Sequence, residues 1–487
     1  MPLESLLNHL KQTAALSQAA GILSWDQEAM MPPKGAQQRA EQAGALAAVI
    51  HEREADPRVP EWISNIDIDE ISDFDRANIR EARRAYDRAT MIPARLAQEL
   101  AKAASEGQQI WAKARADNKF ADFAPSLART IKLKREEAAC LSAGGDAYDA
   151  LLDQFEPGAK AADLAPLLEG LRPRLTALRE KIAEKPVPKG IEGEFAKGKQ
   201  MGLSRKVARH FGYDLDAGRL DTVTHPFCSG SAGDVRITTR VDEAEPLGCL
   251  YSTIHETGHA LYAQGAPDAF LPAMDYCSMG VHESQSRFWE NQIARSRPFM
   301  DWLHPAMTEA FGEVADGPDA LYAAVNRVET GFIRTEADEV HYNLHILLRF
   351  ELERELIAGA LEVGDLEAAW NERFERDFGV AVPEARLGVL QDVHWSVGLF
   401  GYFPTYSLGN LYAACLDKAI RAALPDCDEM VRKNETGPIL GWLRKHIHER
   451  GRLAPAGDLI ADASGAPPSS APLLDYLETK FSALYDL

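Results

Sequence analysis

A chain of 487 residues is longer than one hydrophobic core usually supports, so one large two-lobed unit or two intimate domains is expected. Hydrophobic residues at 46% and charged residues at 26% are ordinary for a soluble globular protein. The formal net charge of −21 argues against nucleic acid or an anionic membrane as a partner.

Leucines and alanines at helical spacing predict a first helix over residues 1–20, and MPLESLLNHLKQ has neither the basic nor the apolar region of a secretory signal. Met30-Met31-Pro32-Pro33-Lys34-Gly35 ends that helix. A second starts near Gln37 and runs past Ile50, so the two form a helical hairpin, closed by Asp56-Pro57 and Pro60. Residues 68–185 keep a helical pattern, rich in Ala, Glu, Arg and Leu, punctuated by Gly107 and Gly144-Gly145. Residues 186–190 (PVPKG) are the clearest linker, followed by a short helix around 195–211. No fixed-period repeat, low-complexity segment or apolar run near the roughly 20 residues of a membrane span occurs.

Residues 219–243 break the helical pattern. Residues 235–241 alternate polar and apolar residues with many β-branched types, and the loop 230–233 before them fits a hairpin turn. Such a strand, running up to the next helix, can be a wall for an extended peptide, or an ordinary small sheet.

That next helix carries His255-Glu256-Thr257-Gly258-His259, an H-E-x-x-H sequence. Histidines four apart stand on one helix face, so both imidazoles can reach one metal ion. Glu256, one step round, is the carboxylate able to take a proton from water activated by that metal. Catalytic zinc needs a third protein ligand, and Glu283, on a helix-like run able to fold back, is expected to supply it; His282 is the rival. An exposed helical His-Glu pair is the bland alternative. Leu250, Ile254, Leu261 and Tyr262 argue against it by giving the helix an apolar face, while Gly258 and Ala260 leave room at the site.

A helix over 334–357 carries a stripe of Asp338, His341, Tyr342, His345 and Arg349, with Val340, Leu344 and Leu347 roughly opposite. The stripe would ordinarily be a solvated face; beside a metal site it supplies donors and a fixed positive charge. Residues 388–410 combine Gln391, His394, Tyr402 and Tyr406, and an imidazole or phenol is what a developing oxyanion needs beside a cation. Phe400 and Phe403 read as packing. Residues 411–487 are again helical, with a loop at 465–472; His446 and His448, two apart, cannot share a helix face and are non-ligands. Six scattered cysteines without a C-x-x-C point to reduced thiols and a cytoplasmic protein.

Several of these segments occur together in one known family. His225-Pro226-Phe227, then DVRIT (234–238), HETGH, HESQ (282–285), RTEADEVHY (334–342) and GVLQDVHW (388–395) follow in order, and LSWDQEAMMPPKGAQQRAEQ also matches. The sequence resembles the Taq-type metallocarboxypeptidases, helical zinc-dependent exopeptidases distantly similar to neurolysin and angiotensin-converting enzyme, over nearly its whole length. The resemblance implies a mainly α fold: residues 1–487 as one catalytic unit of two helical lobes around a deep cleft, a small sheet at its edge and the hairpin 1–50 overhanging it, where the residues alone fit a simple surface hairpin equally well. It implies His255, His259 and Glu283 as ligands of one divalent ion, zinc with cobalt or manganese as alternatives, and Glu256 as general base.

Oxyanion stabilisation then falls to His394 with Tyr402 or Tyr406. The same likeness implies removal of C-terminal residues of broad type from peptides, and a homodimer. An exopeptidase must grip a free carboxylate, which a guanidinium does best. Arg349 is the expected anchor, with Arg236 in support unless Asp234 claims it; His225, His345 and Gln391 complete the substrate-side candidates. A helical zinc oligo- or endopeptidase is the alternative enzyme, and a non-enzymatic helical binding protein with a chance H-E-x-x-H the alternative class.

Overall fold

A computed structural model describes residues 2–267 and 270–487. The chain is mainly α-helical with one three-stranded sheet among the described residues, as its patterning predicts. It divides into two compact units, each built from three separate stretches. The first gathers Met1–Thr90, Lys189–Asn326 and Tyr412–Pro468; the second Met91–Pro188, Arg327–Leu411 and Ser469–Leu487. The linker-like residues 186–190 fall where the chain passes from one to the other.

The first unit opens with the expected hairpin, α1 (Pro2–Ala29) and α2 (Ala36–Glu54), with Pro32 in extended conformation between them. His9 clasps the pair: its Nε2–H donates to the Arg53 carbonyl at 2.8 Å, and Arg53 Nη2 donates back to Nδ1 at 3.2 Å. α1 buries little beyond Leu6, His9 and Trp25, and α2 buries nothing. Pro57 and Pro60 do more than stop α2, because Pro57 precedes and Pro60 sits within the first turn of a short helix, Arg58–Ser64. A proline is tolerated there because first-turn N–H groups have no intrahelical acceptor.

The sheet consists of β1 (Gly218–Thr222), β2 (Cys228–Ser231) and β3 (Asp234–Thr239), in the order β1-β3-β2. β1 runs parallel to β3 and β2 antiparallel, with Leu220 and Cys228 both in register with Ile237. Val235 and Ile237 are fully buried. β3 is therefore central, and its hydrogen-bonding edges are filled by its neighbours. A peptide pairing with this sheet would therefore meet β1 or β2, the outer strands, rather than β3 itself.

α3 (Pro246–Gly265) packs against β2 and β3. Glu245 starts it by accepting from Leu247 N at 3.1 Å and from Gly248 N, and Pro246 occupies the first helical position. α4 (Met279–Arg287) begins on Ser278, whose Oγ accepts from Val281 N at 3.0 Å, and continues into a π-helical turn, Phe288–Ile293.

In the second unit α5 (Glu339–Ala358) starts later than the pattern suggested. Asp338 is its N-cap, accepting from Val340 N and His341 N, and Gly359 ends it in the left-handed conformation. It is buried nearly all round, so His341, Tyr342, His345 and Arg349 of the polar stripe are not a solvated face. Gly107 does not break a helix either. It lies within Ala94–Ala116, where a Cβ would come 2.4 Å from the Ser396 carbonyl oxygen. The glycine is a close-packing position against the segment that carries His394.

Candidate active site

α3 and α4 meet at Gly258. A Cβ there would lie 2.5 Å from both the Gln285 carbonyl oxygen and Ser286 Cα, so only glycine lets the two backbones come this close. The room that Gly258 leaves is filled by α4 itself, and the contact brings Glu283 against the paired histidines. Glu283 Oε2 lies 3.5 Å from His255 Nε2 and 3.4 Å from His259 Nε2. With metal–ligand bonds of about 2.0–2.1 Å, a tetrahedral centre needs ligand atoms about 3.3–3.4 Å apart. The three donors fit such an ion, and they form a cluster within 4.8 Å.

The second ring nitrogens are engaged as a metal site requires. His255 Nδ1 faces Glu290 Oε2 at 2.9 Å, and His259 Nδ1 faces the His282 carbonyl oxygen at 3.1 Å. Both acceptors hold the proton on Nδ1 and leave Nε2 bare towards the common point. Arg287 bridges the two carboxylates, donating from Nε to Glu283 Oε1 at 2.8 Å and from Nη1 to Glu290 Oε2 at 3.2 Å. Arg295 adds a contact to Glu290 Oε1 at 3.3 Å.

Burial opposes ionisation of Glu283, but Arg287, His255 and His259 outweigh it and hold its carboxyl well below its ordinary value. Glu256 differs: burial pushes its carboxyl up, against the pull of the two histidines. The rival ligand His282 is turned away. Its ring lies face-on to His259, centroids 4.3 Å apart and 22° between planes, with Tyr276 and Tyr262 behind it. His448 is likewise no ligand: it is buried, with Nε2 on Gln285 Oε1 at 2.9 Å.

Comparison with known proteins agrees with this geometry. Residues 5–481 match the family described as carboxypeptidase Taq (M32) metallopeptidase. The chain belongs to this family. It is 42% identical to thermostable carboxypeptidase 1 of Thermus thermophilus over 503 residues, covering 99% of this chain and 98% of that protein. Carboxypeptidase 1 of Bacillus subtilis is 35% identical, with 98% and 97% covered. The crystal structure of the M32 carboxypeptidase from Deinococcus radiodurans R1 superposes with a TM-score of 0.96 at 35% identity over 100% of both chains. The protein is a metal-dependent carboxypeptidase that acts on peptides, and the oligo- or endopeptidase alternative is not favoured.

The metallocarboxypeptidase's remaining sequence-expected residues fall into three groups. Arg236 pairs with Asp234, Nε to Oδ1 and Nη2 to Oδ2 both at 2.8 Å, and its guanidinium lies 4.3 Å from the Trp25 ring centroid, with Arg219 over the same ring at 4.9 Å. Its charge is paired with Asp234 and its face covered by Trp25 of α1, the alternative left open for it. His225 is exposed in the loop between β1 and β2.

In the second unit three expectations change. His345 is fully buried against Phe378 and Phe374, with ring centroids 4.5 and 5.8 Å away and both nitrogens without a protein partner. Burial, with Arg349 near, keeps it well below its ordinary value. Gln391 spends its amide on backbone, donating to Phe332 O and Leu387 O and accepting from Arg334 N. Arg349 is 0% exposed, with Nε and Nη2 on Asp392 Oδ2 at 2.7 and 2.5 Å, Nη1 on the His345 carbonyl, and Trp370 and Phe403 over its plane. It has no open side for a substrate carboxylate.

Asp392 is shared. Arg334, unremarked among the sequence candidates, reaches Asp392 Oδ1 at 3.0 Å, lies 3.3 Å from Tyr342 Oη, and sits over the Tyr406 ring at 4.9 Å. His394 Nε2 is 3.2 Å from Tyr406 Oη, with the Tyr402 ring 5.6 Å away. Burial, reinforced by Arg334 and Arg349 against the pull of Asp392, lowers His394 to about 4, so its imidazole is neutral at pH 7. Glu290 and Arg287 were also missed; they follow Glu283 by seven and four residues, the spacing that keeps side chains on one helix face.

Replacing Glu283 with alanine removes the only carboxylate, among the described residues, within ligand distance of both imidazoles. Metal affinity is expected to fall at least tenfold to a hundredfold by chelator competition. Unchanged affinity would assign the third position to another residue.

Proposed function

We propose that His255, His259 and Glu283 hold a zinc ion and that Glu256 is the general base in hydrolysis of the C-terminal peptide bond. The observation that carries this reading is the 3.4–3.5 Å spacing of Glu283 from both bare Nε2 atoms. Two imidazoles and a carboxylate are a catalytic zinc donor set, and cobalt or manganese accept the same atoms. When bound, such an ion polarises the scissile carbonyl and lowers the pKa of a water molecule to about 7. Glu256 takes the proton of the attacking water and returns it to the leaving amine. Burial raises its carboxyl and so makes it a stronger base for the first of those transfers.

In the second unit His394, backed by Tyr406 and Tyr402, is assigned to the oxyanion that develops on the scissile carbonyl. A neutral imidazole keeps one N–H to donate, and Tyr406 Oη is within reach of its Nε2. Arg334 replaces Arg349 as the proposed anchor of the substrate carboxylate, with Arg349 acting behind it through Asp392. Two guanidiniums share that one carboxylate, and only Arg334 keeps any exposure, 6% of its side chain against 0%. An extended peptide is proposed to lie along the free edge of β2, beside α3, with His225 as a further contact.

Broad tolerance for the departing residue, a homodimer and a single catalytic unit spanning 1–487 rest on the family resemblance; interleaving of three chain segments in each unit supports the last. Six free cysteines fit a cytoplasmic location. Light scattering at twice the 53.6 kDa chain mass would support the dimer.

Glu256→Gln keeps shape and hydrogen bonding but cannot act as a base. Metal content should be unchanged and kcat should fall to below a few per cent of wild type; activity retained above that level contradicts the assignment. For the anchor, wild-type enzyme should lose about 2–4 kcal/mol in kcat/KM when the peptide C-terminus is amidated, as should Arg334→Ala on the free peptide. A mutant that still discriminates strongly between free and amidated peptides would exclude Arg334.

A further inference from the structure

We propose that Glu353 is a positioning residue, which through Trp395 and Gly401 fixes the segment that bears His394 and Tyr402. The inference rests on the oxyanion role assigned to His394. Glu353 is 0% exposed on α5 and none of the sequence motifs includes it. Its Oε1 accepts from Trp395 Nε1 at 2.8 Å; its Oε2 accepts from Tyr148 Oη at 2.8 Å and from Gly401 N at 3.0 Å. Trp395 and Gly401 bracket most of residues 394–402, a stretch whose only regular structure is a single 3-10 turn, His394–Val397. With few ladder hydrogen bonds to place it, this stretch depends on side-chain anchors.

α5 supplies two of them one turn apart. Arg349 holds Asp392 on one side of His394, and Glu353 holds Trp395 on the other. The far end is pressed home by close backbone contact. Gly401 has φ of +84°, and a Cβ there would lie 2.7 Å from Leu152 N, at the end of the short helix Ala147–Leu152 that carries Tyr148. Burying a carboxylate is costly, and an apolar side chain would fill the same volume without that cost. Three donors, two from the 394–402 stretch and one from the helix Ala147–Leu152, give the charge a use that packing alone does not. Burial pushes the Glu353 carboxyl up to about 7, against the pull of Trp395, Tyr148, Gly401 and Arg349.

A glutamine at 353 has one acceptor oxygen and one amide nitrogen. Whichever way it turns, an N–H faces either the Trp395 indole N–H or the Gly401 N–H, so one anchor is lost at nearly constant volume. The test is a double-mutant cycle on a free peptide with wild type, E353Q, H394A and the double variant, at equal metal loading. E353Q should lower kcat by about tenfold or more with KM changed less than about twofold, and in the H394A background it should cost less than about threefold. A purely structural role would make the two losses multiply, and that result, or an unchanged kcat in E353Q, overturns the proposal. Full kcat in H394A would overturn the oxyanion assignment and this proposal with it. If E353Q fails to fold, Trp395→Phe removes the indole donor, with a smaller ring in its place, and should show the same non-additivity.

Discussion

The absence of a side chain at Gly258 is the constraint on which the metal cradle depends. The H-E-x-x-H helix and the helix carrying the third ligand touch backbone to backbone there, with Gln285 O and Ser286 Cα where a β-carbon would stand. Helix axes separated by ordinary side chains lie 8–10 Å apart, too far for the short Glu283 carboxylate to meet both imidazoles at a tetrahedral edge length. The sheet contributes from below, since β3 seats α3 through Thr239 on the Cys249 carbonyl. Ser278 sets the start of α4 and hence the rotation that points Glu283 inward.

Around that contact the charges are arranged in alternation. Glu283 and Glu290 lie on the cradle side, Arg287 between them and Arg295 beyond. The carboxylates supply the negative field a cation needs, while the arginines keep both ionised in spite of burial. Glu290 sits on the π-helical turn after α4, where a local change of helical pitch re-aims side chains. A similar economy appears in the second unit, where Asp392 is divided between two arginines and Glu353 between three donors. Asp392 is offset by charge and Glu353 by hydrogen bonds, as low-dielectric surroundings demand.

Much of the metal cradle was legible from residues because helix periodicity alone puts His255 and His259 on one face. Glu283 was legible too, as an acid on a following helix. What periodicity does not carry is which polar groups are already spoken for. Arg349, His345 and Gln391 formed a convincing stripe and motif, yet the fold buries the first between Asp392 and two aromatic rings, the second among phenylalanines, and the third on backbone. Arg236 met Asp234 two residues away, a pairing visible in the sequence as an open alternative. Gly107 reads as a helix breaker until Ser396, 289 positions later, is found against it. Arg334 lies within the matching segment 334–342 and Glu353 in none, and neither shows its role locally because Asp392, Trp395, Gly401 and Tyr148 come from segments far along the chain.

The most direct test of the account is a crystal structure of the metal-loaded enzyme with anomalous diffraction recorded on both sides of the zinc absorption edge. The account predicts one anomalous peak bonded to Nε2 of His255, Nε2 of His259 and a carboxylate oxygen of Glu283 at about 2.0–2.2 Å, with Nδ1 of His255 still on Glu290. A peak ligated by His282, or one lying away from the α3–α4 contact, would contradict it.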